Sequence, residues 1–248
     1  MDILNIDNDK LRISDKNKIK RSLESGNIII YPTDTIYGLG VDITNETAIK
    51  NLYVSKNRSF NKAISVIFPN IEDISKYCYV NSRIKSILEK HLPGPFTFIL
   101  ELKDLATENN IGVNNENNDN EEINSKNIIT KKSINDKNNN LSIKGKKFDG
   151  KNSISKLLTV NSNKIGIRIP NSQIAMEIAK IMPITSTSAN ISNASTYSTV
   201  NEIINQLNTN IDLAIDIGRL KSNIPSTVVD LTSNYPKVLR NGVGDFNF

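Results

Sequence analysis

On both sides of the middle of the chain, short apolar runs alternate with segments in which apolar residues recur at helical spacing. This alternation restricts the possible folds more than any other feature of the sequence. Asn27–Tyr31 is typical of a buried strand, and Glu46–Lys56 carries apolar residues at helical spacing. Other strands are predicted at residues 63–68, 96–102, 165–169, 184–187, 213–217, 227–231 and 237–239, and other helices at residues 16–25, 83–90, 172–181 and 199–207. Interleaved strands and helices predict an α/β or mixed α+β domain, with helices covering a sheet.

The segment from Asp104 to Asn163 differs in composition from both flanks. Asparagine is its commonest residue, and apolar residues occur singly or in pairs. Such a segment buries too little apolar surface to offset its ordering entropy, and the closure entropy of an insertion grows slowly with length. The sequence therefore predicts a single domain over residues 1–248, interrupted at about 104–163 by a mobile low-complexity insertion. Its Asn-rich composition favours an inert role.

Composition excludes several classes of function. Cys78 and His91 are the only cysteine and histidine, so an internal disulfide and a His/Cys metal site are excluded. We interpret Cys78 as a small buried apolar residue and His91 as a helix-end residue. No apolar run approaches the roughly 18 residues of a membrane helix, and no secretory signal is present, which predicts a cytoplasmic protein without membrane contact. The net charge of +5 suits an anionic ligand such as a nucleotide, pyrophosphate or RNA.

A first polar cluster follows the strand at Asn27–Tyr31. Residues 31–40 read YPTDTIYGLG, so Thr33 and Thr35 lie between a proline turn and a Gly-x-Gly pair. Glycines permit close backbone approach or positive φ, and hydroxyl groups at a strand end can bind a polar ligand. A strand-to-loop turn with capping hydroxyls explains the same residues, so both interpretations stay open.

A cationic cluster follows the helix at Glu46–Lys56 and contains Lys56, Arg58 and Lys62. Cations at a helix end complement the helix dipole, which is one explanation. The other is a triphosphate clamp, in which the arginine forks to phosphate oxygens and the lysines act as point charges.

Further polar groups follow the later strands. Ser186, Ser188 and Asn190 lie where a short strand leaves the sheet, which is a usual ligand position and also an ordinary place for a polar turn. Arg168 lies inside an apolar strand, where a buried ion pair competes with a ligand contact as its explanation. No Walker A loop, Rossmann glycine fingerprint or HExxH motif is present.

Together these pieces resemble the YrdC-like family of threonylcarbamoyl-AMP synthases, also called TsaC proteins. The resemblance covers roughly residues 10–103 and 164–245. Its elements, in the order of the family, are PTDTIYGLG at 32–40, Lys56-x-Arg58, LPGPFT at 92–97, IRIP at 167–170, SAN at 188–190, STVVD at 226–230 and LRNG at 239–242. Any one element is weak evidence, whereas the ordered set is specific to the family.

The resemblance implies an open, twisted mixed sheet flanked by helices, with a concave basic face. It also implies an enzyme that forms threonylcarbamoyl-AMP and pyrophosphate from L-threonine, bicarbonate and ATP, with Mg²⁺ bridging the phosphates. The product would serve the threonylcarbamoyl modification of adenosine in tRNA. The implied partners are proteins that transfer the threonylcarbamoyl group, together with a contact to tRNA.

Matching positions imply the roles of individual residues. The resemblance assigns catalysis to Lys56, Arg58, Ser188 and Asn190. It assigns ATP binding to Arg58, Lys62, Arg168, Ser188, Asn190, Thr196 and Arg240. It assigns threonine binding to Thr33, Thr35, Ser186 and Ser226, and it assigns no metal ligand.

Some positions depart from the family pattern. Ala63-Ile64 replaces a common Pro-Leu, and Ile67 stands where a histidine or lysine is common, which affects part of the threonine pocket. We expect the short, single-domain type of the family. Two alternatives remain: an RNA-binding or ribosome-maturation module on the same fold, and a paralogue that handles another carbamoyl-adenylate.

Overall fold

The computed structural model describes residues 1–103, 154–207 and 211–247. Within them the strands are β1 (Asp2–Asn5), β2 (Ile29–Tyr31), β3 (Gly38–Gly40), β4 (Ser65–Ile67), β5 (Phe96–Glu101), β6 (Lys164–Arg168), β7 (Ile184–Ser188), β8 (Leu213–Asp216), β9 (Thr227–Asp230) and β10 (Lys237–Arg240). The helices are α1 (Ile13–Glu24), α2 (Glu46–Ser55), α3 (Ile71–Tyr77), α4 (Ser82–His91), α5 (Lys156–Thr159), α6 (Gln173–Ile181) and α7 (Val200–Leu207).

The described strands form one mixed sheet. Their order is β1-β8-β2-β3-β7-β4-β6-β5-β9-β10. The pairs β1–β8, β2–β8, β4–β6 and β5–β9 are parallel, and the remaining neighbours are antiparallel. This mixed sheet with flanking helices confirms the predicted fold class.

Helices α1 and α6 cover one face of the sheet. Ile19 and Leu23 of α1 and Ile174 and Ile178 of α6 are buried, at the helical spacing that the sequence predicted. They pack in one cluster with Tyr31 of β2. Helix α1 ends at Glu24 with Ser25 as its C-cap, and Gly26 then takes a positive φ of 78°, as expected for a glycine stop.

Side-chain caps fix where most helices begin. Helices α2, α3, α4, α5 and α6 each follow a residue whose side chain accepts a backbone N–H of the first turn. These residues are Asn45, Asn70, Asn81, Ser155 and Ser172. Before α7, Thr199 and Glu202 cap each other, because each side chain accepts the backbone N–H of the other residue. Each cap satisfies N–H groups that have no partner inside the helix.

Residues 38–40, for which the sequence predicted no strand, form β3. Its strand pairing runs through Gly38, Leu39 and Gly40 beside β2. A Cβ atom on Gly38 or Gly40 would lie 3.0 Å or 2.9 Å from the ring of Tyr31, so glycine is needed for close approach rather than for positive φ. Strand β1 and helix α3 were also missed because both are short.

The predicted insertion at 104–163 is described only in its last ten residues, since residues 104–153 lie outside the described part of the chain. Residues 154–163 contain helix α5, which the sequence did not predict. Leu158 is fully buried, and its carbonyl accepts the N–H of Ile64 at 3.0 Å. The apolar Leu157-Leu158 pair was too short a signal against the polar surroundings.

Cys78 is buried, as predicted for a cysteine without a chemical role. Burial raises the pKa of its thiol to about 12. We expect a maleimide to leave native protein unlabelled at pH 8 and to label it fully after denaturation, measured by mass spectrometry. Rapid labelling of the native protein would contradict this packing.

His91 closes α4, where its Nδ1 lies 2.9 Å from the carbonyl oxygen of Ile87. Its ring packs against Phe96, Phe98 and Phe246.

Among the described residues, no helix is long and apolar enough to cross a membrane.

Candidate active site

A polar cavity of about 410 Å³ lies over the face of the sheet formed by β7, β4, β6, β5 and β9. Side chains alternate across a strand, so Lys164, Gly166 and Arg168 of β6 line the cavity, as do Thr97 and Ile99 of β5. The cavity therefore has a floor of regular strand and walls made by the loops that follow the strands.

Arg168 combines a structural ion pair with an unused donor. Its Nη2 donates to Oδ1 of Asp34 at 2.8 Å and to Oγ1 of Thr35 at 3.3 Å. Its Nε is buried and has no hydrogen-bond partner among the described residues. The ion pair that the sequence offered as one explanation is therefore present, and the unpartnered Nε leaves the ligand contact open as the other.

Thr33 stabilises its own turn while it lines the cavity. Its Oγ1 accepts the N–H groups of Thr35 and Ile36, both at 3.2 Å, and donates to the carbonyl of Ile36 at 2.6 Å. Thr35 is 1 % exposed, and the structure places it behind the cavity surface, beside Arg168. The capping interpretation is correct for Thr33.

Arg240 and Ser226 form the opposite wall. The Nη2 of Arg240 donates to the carbonyl of Ser226 at 2.9 Å, and the hydroxyl groups of Ser226 and Thr97 lie 2.8 Å apart. Burial, together with the nearby Arg168 guanidinium, lowers the pKa of Arg240. Arg168 and Arg240 thus both line this cavity, where their cationic groups can attract an anionic ligand.

A left-handed residue separates the two cations that follow α2. Asn57 has a φ of 47°, which asparagine tolerates better than most residues. Arg58 leaves this turn towards the cavity, and its guanidinium donates to the carbonyls of Lys62 at 3.2 Å and Ala63 at 2.7 Å. Burial lowers the pKa of Arg58.

Lys56 points the other way, into the protein, and is 1 % exposed. Its Nζ donates to the carbonyl of Ser188, to the carbonyl of Asn190 at 2.6 Å and to Oδ1 of Asn190 at 3.3 Å. Burial, with a further contribution from Arg58, lowers the pKa of Lys56 to about 7. Lys56 therefore holds the loop at residues 188–190 rather than lining the cavity.

The same loop is tied down by its own side chains. Oγ of Ser188 donates to Oδ1 of Asn190 at 2.5 Å, and Nδ2 of Asn190 donates to the carbonyl of Ala194 at 2.6 Å. The N–H of Ser192 donates to the carbonyl of Lys56 at 2.8 Å. These bonds fix the position of Ser188 at the cavity wall.

The structure brings most of the predicted site residues to this cavity. Those that line it are Thr33, Arg58, Arg168, Ser186, Ser188, Ser226 and Arg240. Lys56, Thr35 and Asn190 are buried directly behind them. Lys62 and Thr196 lie further out, where Lys62 Nζ donates to Oδ1 of Asn193 at 3.4 Å and Thr196 donates to the carbonyl of Asn223 at 2.6 Å.

The sequence reasoning did not assign several residues that line the cavity. They are Ser65, Thr97, Ile99, Ser162, Lys164 and Asp230. Strand alternation counted outward from Arg168 would have found Lys164, because residues two and four positions away on a strand share a face. The positions contributed by the other strands required the sheet order.

The departures from the family pattern fall in different places. Ala63 and Ile64 line the cavity, so this replacement bears on the ligand. Ile67 is fully buried in the core cluster with Tyr31. The replacement at Ile67 therefore changes the core and leaves the cavity wall unaltered.

The described residues provide few ligands for a metal ion. They contain no group of three or more histidine, cysteine, aspartate or glutamate side chains that could hold one. In the cavity lining, the carboxylate is that of Asp230. A divalent ion there would need most of its ligands from a bound phosphate group or water.

The sequence has relatives whose similarity extends along most of the chain. A Methanocaldococcus jannaschii protein provisionally named threonylcarbamoyl-AMP synthase is 32 % identical over 225 residues, covering 91 % of this chain and 84 % of that protein. Escherichia coli YciO, whose name gives no activity, is 26 % identical over 232 residues, covering 92 % of this chain and 89 % of YciO.

Solved structures share the fold. The crystal structure of E. coli YciO matches with a TM-score of 0.72 at 24 % identity and covers 98 % of this chain and 97 % of that chain. Pyrococcus abyssi Sua5 in complex with L-threonine matches with a TM-score of 0.71 at 20 % identity. That match covers 98 % of this chain and 58 % of Sua5, so this chain spans little more than half of Sua5.

One family model matches most of the chain. The model of the Sua5, YciO and YrdC proteins, described as "Telomere recombination", matches residues 21–119 and 140–242. This match includes the segments that supply Arg58, Arg168, Ser188 and Arg240 to the cavity. The chain belongs to the Sua5/YciO/YrdC family.

Proposed function

We propose that this protein is an L-threonylcarbamoyladenylate synthase, which forms threonylcarbamoyl-AMP and pyrophosphate from L-threonine, bicarbonate and ATP. The observation that carries the proposal is the buried, unpartnered Nε of Arg168 in a cavity that Arg58 and Arg240 also line. The M. jannaschii relative, with its provisional synthase name, and the fold shared with threonine-bound Sua5 support the same conclusion.

Arg168 is the proposed partner of the threonine carboxylate. Its Nη2 is occupied by Asp34, while its buried Nε has no hydrogen-bond partner among the described residues. A charge-assisted hydrogen bond in a buried site is stronger than one in water and orients the amino acid. The hydroxyls of Thr33, Ser186 and Ser226 lie on the same cavity and offer partners to the remaining polar groups of threonine.

The proposed reaction has two bond-forming steps. The amine nitrogen of threonine bonds to the carbon of bicarbonate, and water leaves to give a carbamate. A carbamate oxygen then bonds to the α-phosphorus of ATP, and the bond from this phosphorus to pyrophosphate breaks. Negative charge builds on the α-phosphate oxygens and on the pyrophosphate during this step.

Fixed cations stabilise that charge. Arg58 is held by the carbonyls of Lys62 and Ala63, and Arg240 is held by the carbonyl of Ser226, so neither side chain needs to reorganise during the reaction. Ser188 adds a hydroxyl whose position is set by Asn190 and Lys56. Mg²⁺ would be held mainly by the ATP phosphates and would neutralise part of their charge.

The test is pyrophosphate release from ATP and bicarbonate, measured with and without L-threonine. We expect release that depends on threonine and is much weaker with glycine, which lacks the hydroxyl and methyl groups. Omission of bicarbonate, with dissolved CO₂ removed, is the matched control and should suppress release.

Folded protein that releases no pyrophosphate under any of these conditions would overturn the proposal. A salt-sensitive affinity for RNA in the same preparation would then favour the RNA-binding alternative. Release supported by another carbamoyl donor in place of threonine and bicarbonate would favour the paralogue.

A further inference from the structure

The sequence contains a single Asn-Gly pair, Asn241-Gly242, which directly follows β10. In such a pair the backbone nitrogen of the glycine can attack the amide carbon of the asparagine side chain, because glycine has no side chain to hinder the approach. The new C–N bond closes a five-membered succinimide ring, and ammonia leaves. Water then opens the ring to give aspartate or isoaspartate, which completes a deamidation.

The two groups that must react differ in their surroundings. Asn241 is an exposed residue, so water can reach its amide carbon. The backbone nitrogen of Gly242 is engaged, because its N–H donates to Oγ1 of Thr227 at 2.9 Å, and Thr227 is 1 % exposed. The glycine nitrogen must lose this proton as the new C–N bond forms, and a buried hydrogen bond that holds the proton opposes ring closure.

The neighbours of Gly242 also hold its backbone in place. Oγ1 of Thr227 donates to the carbonyl of Gly244 at 2.5 Å, and the N–H of Val243 donates to the carbonyl of Pro225 at 3.0 Å. A Cβ atom on Gly242 would lie 2.1 Å from the carbonyl oxygen of Pro225, so the two backbone segments are in close contact. The glycine nitrogen is therefore free to react only when this segment opens locally.

We propose that Asn241 is a deamidation site whose reaction the hydroxyl group of Thr227 holds back in the folded protein. When the contact between Thr227 and Gly242 opens, the ring closes and ammonia leaves, and hydrolysis then places a carboxylate beside Arg240. The inference concerns the chemistry of the chain itself and goes beyond the proposed function, on which it does not depend.

Conversion to isoaspartate would change the cavity wall that carries Arg240. Isoaspartate continues the chain through its side-chain carbon and so lengthens the backbone by one atom between Arg240 and Gly242. Arg240 is held by the carbonyl of Ser226 at 2.9 Å, and Gly242 is held by Thr227. The extra atom strains the span between these two bonds, so the N–H groups of residues 242 and 243 should lose their protection from solvent.

Peptide mapping by mass spectrometry measures conversion at Asn241 at pH 8, both in folded protein and in protein unfolded by urea. We expect the folded wild type to convert at least about 10-fold more slowly than the unfolded chain, because conversion requires local opening. Thr227→Val removes the hydroxyl group and keeps the size of the side chain. It should speed conversion of the folded protein by about 10-fold, as expected when a buried donor is left without an acceptor.

Thr227→Ser is the matched control, because it keeps the hydroxyl group and should convert at close to the wild-type rate. All three proteins should convert equally fast when they are unfolded. The wild type gives a second test that does not depend on the folding of a variant. Hydrogen exchange of the Gly242 amide and conversion at Asn241 should rise together as urea is added below the unfolding transition.

A folded wild type that converts as fast as the unfolded chain would overturn the inference. So would a folded Thr227→Val protein that converts at the wild-type rate, or conversion that does not follow the exchange of the Gly242 amide. In the purified isoaspartate form, unchanged exchange of the amides of Gly242 and Val243 would contradict the expected change in the cavity wall.

Discussion

Replacement of Arg168 by methionine is expected to lower kcat/KM for L-threonine by on the order of 10²- to 10³-fold. Truncation of one partner of a buried, charge-assisted hydrogen bond costs about 2–5 kcal/mol, or about 30- to 4,000-fold, and the expected loss lies in the middle of this range. The loss should appear mainly as a raised KM for threonine, because the proposed contact is to the carboxylate. Steady-state pyrophosphate release at varied threonine concentration measures both constants.

The same replacement leaves Asp34 buried without its cation, so the fold must be tested separately. Asp34 and Arg168 side chains are 9 % and 6 % exposed, and breaking such a pair is strongly destabilising. The double variant Asp34→Asn/Arg168→Met removes both charges, and we expect it to regain stability in denaturant unfolding without regaining activity. Recovery of activity in the double variant would show that Arg168 acts only through the fold.

Arg12→Met provides a matched control for the loss of an arginine in an ion pair. Arg12 pairs with Asp15 at 2.9 Å and is 75 % exposed in its side chain. Because the Arg12 guanidinium is exposed, water screens its attraction to the buried Asp15 carboxylate. Threonine kinetics of this variant should match those of the wild type.

The second large effect is on the pH dependence of stability and concerns Lys56→Met. The pKa of Lys56 is about 7 in the folded protein, against 10.5 in the unfolded chain. Between these values the unfolded state binds more protons, so the free energy of unfolding rises with pH. The contribution of Lys56 is about 1.4 kcal/mol per pH unit above pH 7, and methionine should abolish it.

Urea unfolding at pH 7 and pH 9 measures this contribution as a difference between the two proteins. The wild type should gain stability over this range relative to Lys56→Met, while Lys50→Met should follow the wild type. Lys50 is an exposed residue of the same helix, α2. Equal slopes for the wild type and Lys56→Met would show that Lys56 keeps an ordinary pKa.

Hydrophobic periodicity predicted the elements whose own residues determine their secondary structure. Helices α4 and α6 carry buried residues at helical spacing, and their boundaries agree with the prediction to within a residue or two. Strand β3 could not be predicted in this way. Gly38 and Gly40 have low strand propensity, and the ring of Tyr31, which packs against them, becomes their neighbour only after folding.

The candidate site also combines residues that the sequence identifies with residues that only the fold brings together. The polar cluster at the end of β7 pointed to Ser188, the arginine inside an apolar strand pointed to Arg168, and the family resemblance pointed to Ser226, and all three line the cavity. The different directions of Lys56 and Arg58 depend on the left-handed turn at Asn57, which no local pattern specifies. The ion pair between Asp34 and Arg168 joins residues far apart in sequence, and only the sheet order brings them together.

Because β5 and β6 are antiparallel neighbours, the connection between them can accommodate inserted sequence. Glu101 pairs with Lys164, and the N–H of Leu102 donates to the carbonyl of Asn163 at 2.6 Å, so the two sides of the long connection are already adjacent. Each doubling of a flexible loop costs only about 0.6 kcal/mol. A reporter domain, or a cut that splits the protein into two complementing fragments, could be placed between these strands while Arg168 and Thr97 keep their positions in the sheet.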